Sequence, residues 1–130
     1  MLRQPVETTA YSGHCEEAIA HMKEAFRLSP RDPARALWHM DMGLGELCRE
    51  HLDAAAQEFR QGIDGGFRTY LTYAFLAASV ALQGKDAEAK TALAEARRLN
   101  PQFSIKWYLA RNPSMPVQLE GFRKAGLPEE

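Results

Sequence analysis

Apolar residues recur along this chain at helical spacing, and small and large side chains alternate within the recurrence. In GKDAEAKTALAEARRLNP, residues 84–101, Ala89, Leu93 and Ala96 stand at i, i+4 and i+7, which places them on one face of a helix. Ala18, Met22 and Ala25 fill the same slots in SGHCEEAIAHMKEAFRLSP, residues 12–30, and Ala55, Phe59 and Gly62 fill them in EHLDAAAQEFRQGIDGGF, residues 50–67. Alanine and glycine let a neighbouring helix approach closely, and the larger residue between them fills the gap. Each run stops at a breaker: Ser29-Pro30, Asp64-Gly65-Gly66 or Asn100-Pro101. The pattern predicts a helix over 14–28, a pair at 34–48 and 52–63, and a second pair at 70–83 and 86–99.

The remainder is a tail. Phe103, Ile105, Trp107, Tyr108 and Leu109 are too apolar to hang in water, and Val117, Leu119, Phe122 and Ala125 pattern a short helix beginning at Pro116. The tail is expected to cover the open side of helix 86–99. The 130 residues thus read as one domain: 1–12 as a partly disordered or truncated first helix, 13–101 as repeats, and 102–130 as a capping tail. A start inside a repeat leads to the expectation of a piece of a longer protein, because solenoids close their ends with polar caps, a short protein beginning with a frayed half-repeat being the alternative.

From Ala55 to Ala89 is 34 residues and from Ala18 to Ala55 is 37, the extra three being absorbed at Arg31-Asp32-Pro33. A 34-residue period with small, large and small residues at this spacing resembles the tetratricopeptide repeat. The resemblance implies an all-α superhelix of about two and a half repeats. In the leading helices it puts packing residues at Tyr73, Leu76, Ala77 and Val80, and at His39, Met42, Gly43 and Glu46, where two of the four slots are polar. It also implies an inner, concave protein-binding surface made of Leu37, Met40, Leu44 and Leu47, then Leu71, Ala74, Ala78 and Ala81. All eight are apolar, whereas repeats of this family that grip acidic chaperone tails carry Lys, Arg and Asn there, so that class of ligand is not expected.

A repeat ending in RLNP, an aromatic and basic stretch, a proline turn and a terminal EGFRKAGLPE resemble the C-terminal region of bacterial class III adenylate and guanylate cyclases that carry such repeats. RLSPRDPARALWHMDMGLGEL, with Ser29-Pro30-Arg31-Asp32-Pro33 and Trp38, is similar to the same group. Similar motifs also follow bacterial transcription-regulator domains. The resemblance implies a regulatory module whose catalytic domain would lie elsewhere; no residue here matches a cyclase metal or nucleotide motif.

Composition narrows the classes further. A formal net charge of −1 gives no global field for nucleic acid or an anionic membrane. Arg97, Arg98, Lys106, Arg111, Arg123 and Lys124 make the last third mildly basic, in an interrupted cluster that reads as a solvated face. No apolar run is long enough for a membrane span, and MLRQPVETTAY lacks the apolar core of a signal peptide. Two isolated cysteines, Cys15 and Cys48, do not make a disulfide framework, so the expectation is a reduced, cytoplasmic chain.

Chemistry is sparse. His14 and His21 share a helix face, but no recognised metal-ligand spacing completes a set, so neither a metal nor a cofactor is expected. Cys48 and His51 are a nucleophile and a base three residues apart, without any sign of an oxyanion hole, so catalysis there is the weakest reading. Gly43-Leu44-Gly45 and Gly65-Gly66-Phe67 follow no strand and lack the lysine of a phosphate loop. Trp38, Phe75, Trp107 and Tyr108 are not interleaved with basic residues and read as core. The expected function is non-catalytic protein binding, with a peptide, a helix, an attached domain or a second copy as partner. A free-standing scaffold is the alternative.

Overall fold

The computed structural model describes residues 14–130. The protein is all-α, with seven helices and no strand among the described residues: α1 (Cys15–Leu28), α2 (Arg35–Cys48), α3 (Leu52–Asp64), α4 (Tyr70–Leu82), α5 (Asp86–Leu99), α6 (Ile105–Leu109) and α7 (Pro116–Ala125). The five helices expected from the periodicity form within a residue of their expected ends, and so does the Pro116 helix. The one-turn α6 was not anticipated. The segment expected as a truncated first helix, 1–12, lies outside the described residues.

Helices α1 to α5 pack in chain order, each against the next, with α2 against α3 and α4 against α5 as the closest pairings. Three residues, Glu50 at the centre, separate α2 from α3, and three separate α4 from α5, so both pairs are antiparallel hairpins. The recurrent slots explain the closeness. Ala18, Ala55 and Ala89 are buried, as are Met22, Phe59 and Leu93, and then Gly62 and Ala96; Ala25, on the first described helix, is half-buried. A side chain at Gly62 would press a Cβ to 3.1 Å from the carbonyl oxygen of Ala36, so this slot must be small for α3 to cross α2.

The leading helices differ in surroundings. In α4 every residue from Ala74 to Ala81 is buried, because α3, α5 and α7 enclose it. In α2 the two polar slots are satisfied rather than apolar. His39 Nδ1 is 2.7 Å from Glu58 Oε2 on α3, and the buried Glu46 carboxylate receives Arg49 at 3.2 Å and lies 3.5 Å from His51. Gly43 and Gly45 sit mid-helix, where glycine costs about 1 kcal/mol relative to alanine. A Cβ on Gly43 would fall 2.5 Å from the Phe59 ring, and one on Gly45 2.8 Å from Ile19, so the two glycines admit α3 on one side and α1 on the other.

The tail folds back onto α4, and only marginally onto α5. That corrects the expected capping of the open side of α5. The reason is the alanine-rich face of α4: Gly121 of α7 lies directly over Ala78, which no larger residue at either position would allow. Phe122 then enters a fully buried aromatic cluster, stacked 6.0 Å from Phe75 and edge-on to Phe103 at 5.5 Å and Tyr108 at 5.3 Å. Gln118, also fully buried, donates to the Tyr108 hydroxyl at 2.6 Å and accepts from the Met115 amide at 3.1 Å. After the left-handed turn at Gly126, the carbonyls of Pro128 and Glu129 accept from the Ile105 and Lys106 amides, which fastens the last residues to the start of α6.

Candidate functional site

The residues expected to line a concave binding surface are not open. Met40, Leu44, Leu47, Ala74, Ala78 and Ala81 are all buried in the main core, and Leu37 and Leu71 are half-buried against it. On α4 the occupant is α7 itself: Ala78 meets Gly121, and the aromatic cluster seals the contact. The sequence assigned apolar residues to this face correctly as residue types. Their apolarity serves an internal helix contact.

An open depression of about 320 Å³ lies instead beside the α4/α5 hairpin. Tyr73 and Leu76 of α4 and Ala92 and Thr91 of α5 line it, and Glu88 and Glu95 stand at its edge. Tyr73 is half-buried and Thr91 exposed, whereas Leu76 and Ala92 are nearly buried, so the floor is apolar and the mouth polar. Arg60 reaches from α3 to pair with Glu88, spanning from one hairpin to the next. At the other edge Arg98 pairs with Glu95 at 2.6 Å, and this hydrogen-bonded guanidinium holds the Glu95 carboxyl below the usual carboxylate range. The alternation that puts Leu93 and Ala96 into the core turns Glu88, Thr91, Ala92 and Glu95 to the neighbouring face. That offset was legible from the sequence once the core slots were chosen.

The basic residues of the last third are largely engaged within the chain. Arg123 pairs with Glu129 at 2.7 Å, Lys106 with Glu130 at 3.7 Å, and Arg111 lies 4.5 Å over the Trp107 ring while donating to the Trp107 carbonyl. Burial beside Phe103 and Trp107 pushes the Tyr70 hydroxyl above its ordinary range. A broader, shallower hollow of about 550 Å³ follows the outer side of α7, between Ser114, Pro116, Leu119, Glu120 and Arg123.

The cysteines overturn the expectation of free thiols. Cys15, first residue of α1, and Cys48, last residue of α2, are joined as a disulfide with their Cα atoms 5.4 Å apart. Two helices of 14 residues each, packed antiparallel, bring the start of one beside the end of the next; that signal was present in the helix lengths. The sulfur of Cys48 is therefore not available as a nucleophile in this state, and His51, its partner in the weakest of the sequence readings, lies against Glu46. The inference from cysteine count to a reducing compartment loses its premise. No helix among the described residues is long and apolar enough to cross a membrane.

His14 and His21 each approach the Glu17 carboxylate, at 3.6 and 3.9 Å, and no group of three or more His, Cys, Asp or Glu that could hold a metal ion occurs among the described residues. Trp38 and Phe75 pack edge-on and tilted against Phe26 and Phe59, at 5.6 and 5.7 Å. No protein-family model, curated protein or solved structure matches this chain.

Proposed function

We propose that this chain is a non-catalytic protein-interaction module of the tetratricopeptide type, acting as the regulatory part of a longer signalling protein. The 34-residue spacing realised as successive antiparallel hairpins, with small, large and small residues in the buried slots, supports the repeat reading. Its resemblance to the region behind class III nucleotide cyclases supports a cyclase as the catalytic parent. The observation that carries the binding reading is the apolar-floored, polar-mouthed depression between Tyr73, Leu76, Thr91 and Ala92. Desolvating a single apolar anchor in such a hollow, within a polar rim, is the usual energetic centre of a protein contact. The partner is a protein segment, from a peptide, an attached domain or a second copy, that presents an apolar side chain to it.

Selection of a displayed peptide library on the purified chain tests this. Peptides should be recovered whose affinity falls about tenfold or more in Thr91→Arg, which closes the mouth at an exposed position, while the melting temperature is kept. Recovery of no binder, or of binders indifferent to Thr91→Arg, would count against the depression as the site. Nucleotide cyclisation by this chain alone would sink the non-catalytic reading.

A further inference from the structure

Helix α1 is joined to the rest of the described protein by packing on one neighbour and by one covalent bond. Among the described helices it packs on α2 alone. Its buried residues Ile19 and Met22 form, with Met42 of α2, a small cluster separate from the main core, edged by the half-buried Ala25, Phe26 and Trp38. Only Ala18 reaches the main core. Further ties include Glu16 to Arg49 at 2.8 Å, Arg35 over the Phe26 ring, and Phe26 against the His39 ring at 4.8 Å. Elements with so few buried contacts are the ones that open locally while the remainder stays folded. Against that, one covalent bond pins the first residue of α1 to the last residue of α2. Both cysteines are half-buried at the helix ends, and so within reach of solvent and of a reducing thiol.

We propose that Cys15–Cys48 is a reversible redox site, addressed by a dithiol reductant, and that its reduction releases α1 from α2. A thiolate of the reductant attacks the Cys48 sulfur, the S–S bond breaks, and Cys15 departs as a thiolate that takes up a proton. Cys15 is the better leaving group, because it opens a helix whose unpaired amides stabilise negative charge, whereas Cys48 closes one. The second thiol of the reductant then attacks the mixed disulfide and frees Cys48. Two electrons pass to the protein disulfide, giving two thiols, and the reductant's dithiol becomes a disulfide. With the staple gone, α1 is held by the small cluster, by Ala18 and by its surface pairs, without a covalent bond, and its departure uncovers Trp38, Met42 and the face of Gly45 on α2.

The test is amide hydrogen exchange on the full chain, prepared oxidised and after reduction with dithiothreitol, with thiol alkylation and intact mass reporting the redox state. Reduction should speed exchange in 15–28 about tenfold or more, and leave 70–99 unchanged. The double variant Cys15→Ser, Cys48→Ser should behave as the reduced protein and ignore dithiothreitol. Two alkylatable thiols after equilibration with oxidised glutathione would overturn the proposal. So would identical exchange in both redox states, loss of protection throughout the chain on reduction, loss of folding in the double variant, or a response of that variant to dithiothreitol.

Discussion

Replacing Gly121 by alanine sets two well-defined effects against each other. In the middle of an exposed helix the change would stabilise by about 1 kcal/mol, because alanine restricts the unfolded chain and suits the helix. Here the new Cβ would stand 2.6 Å from the Ala78 Cβ and 2.9 Å from its Cα and carbonyl oxygen. None of those atoms can move by a change of rotamer, so α7 must retreat by roughly 1 Å to restore ordinary contact. That retreat draws Phe122 out of its stack on Phe75 and its edge contacts with Phe103 and Tyr108. Overpacking typically costs about 1–3 kcal/mol, and full burial of an aromatic of this size contributes a similar amount, part of which is lost. The clash therefore outweighs the propensity gain, and the expected result is a net loss of about 1–3 kcal/mol.

Urea unfolding followed by circular dichroism measures the loss as a lower midpoint at unchanged slope, equivalent to about 4 °C of melting temperature per kcal/mol. Lys124→Ala, on the exposed side of α7, is the control and should stay within about 0.5 kcal/mol of the parent. Adding Ala78→Gly to Gly121→Ala removes the shortest contact but leaves those to the Ala78 Cα and oxygen, so the pair should be less destabilised than the sum of its members. A Gly121→Ala protein as stable as the parent, or more so, would refute the close seating of α7 on α4.

Met40→Asp should unfold the chain or cost more than about 3 kcal/mol, since Met40 is 6% exposed within the main core; a folded variant by circular dichroism would return this position to an open surface. Deleting 103–130 strips Phe103, Ile105, Tyr108, Phe122 and Leu127 from the core, at roughly 1.5–3 kcal/mol each, and uncovers Ala78; the truncated chain should aggregate or melt below 37 °C in a light-scattering and calorimetric assay. Glu95 titrates below the usual carboxylate range because Arg98 bonds its charged form, so its contribution to stability is present above the unfolded-state value and disappears as pH falls through the folded one. In a carboxyl NMR titration Arg98→Ala should raise the Glu95 midpoint, and an unmoved midpoint would remove Arg98 as the cause.

All the described helices but the one-turn α6 could be placed from local pattern alone. Ala89, Leu93 and Ala96 recur as Ala55, Phe59 and Gly62, and the breakers after them are residues that end helices by their own backbone chemistry, so boundaries fell within a residue of the observed ends. What those faces meet is a long-range matter. Apolarity at Ala74, Ala78 and Ala81 states that the face avoids water, and is equally compatible with a ligand or with the chain's own tail; Gly121, 43 residues beyond Ala78, makes it the tail. Gly43 and Gly45 name no partner in one dimension, and become close-approach positions once Phe59 and Ile19 lie against them. Cys15 and Cys48 are isolated along the chain and adjacent in space, because an antiparallel hairpin of equal helices brings its far ends together. Periodicity reports which side of a helix leaves water, since that depends on residues three and four apart; the identity of the partner depends on packing between segments whose separation no local pattern encodes.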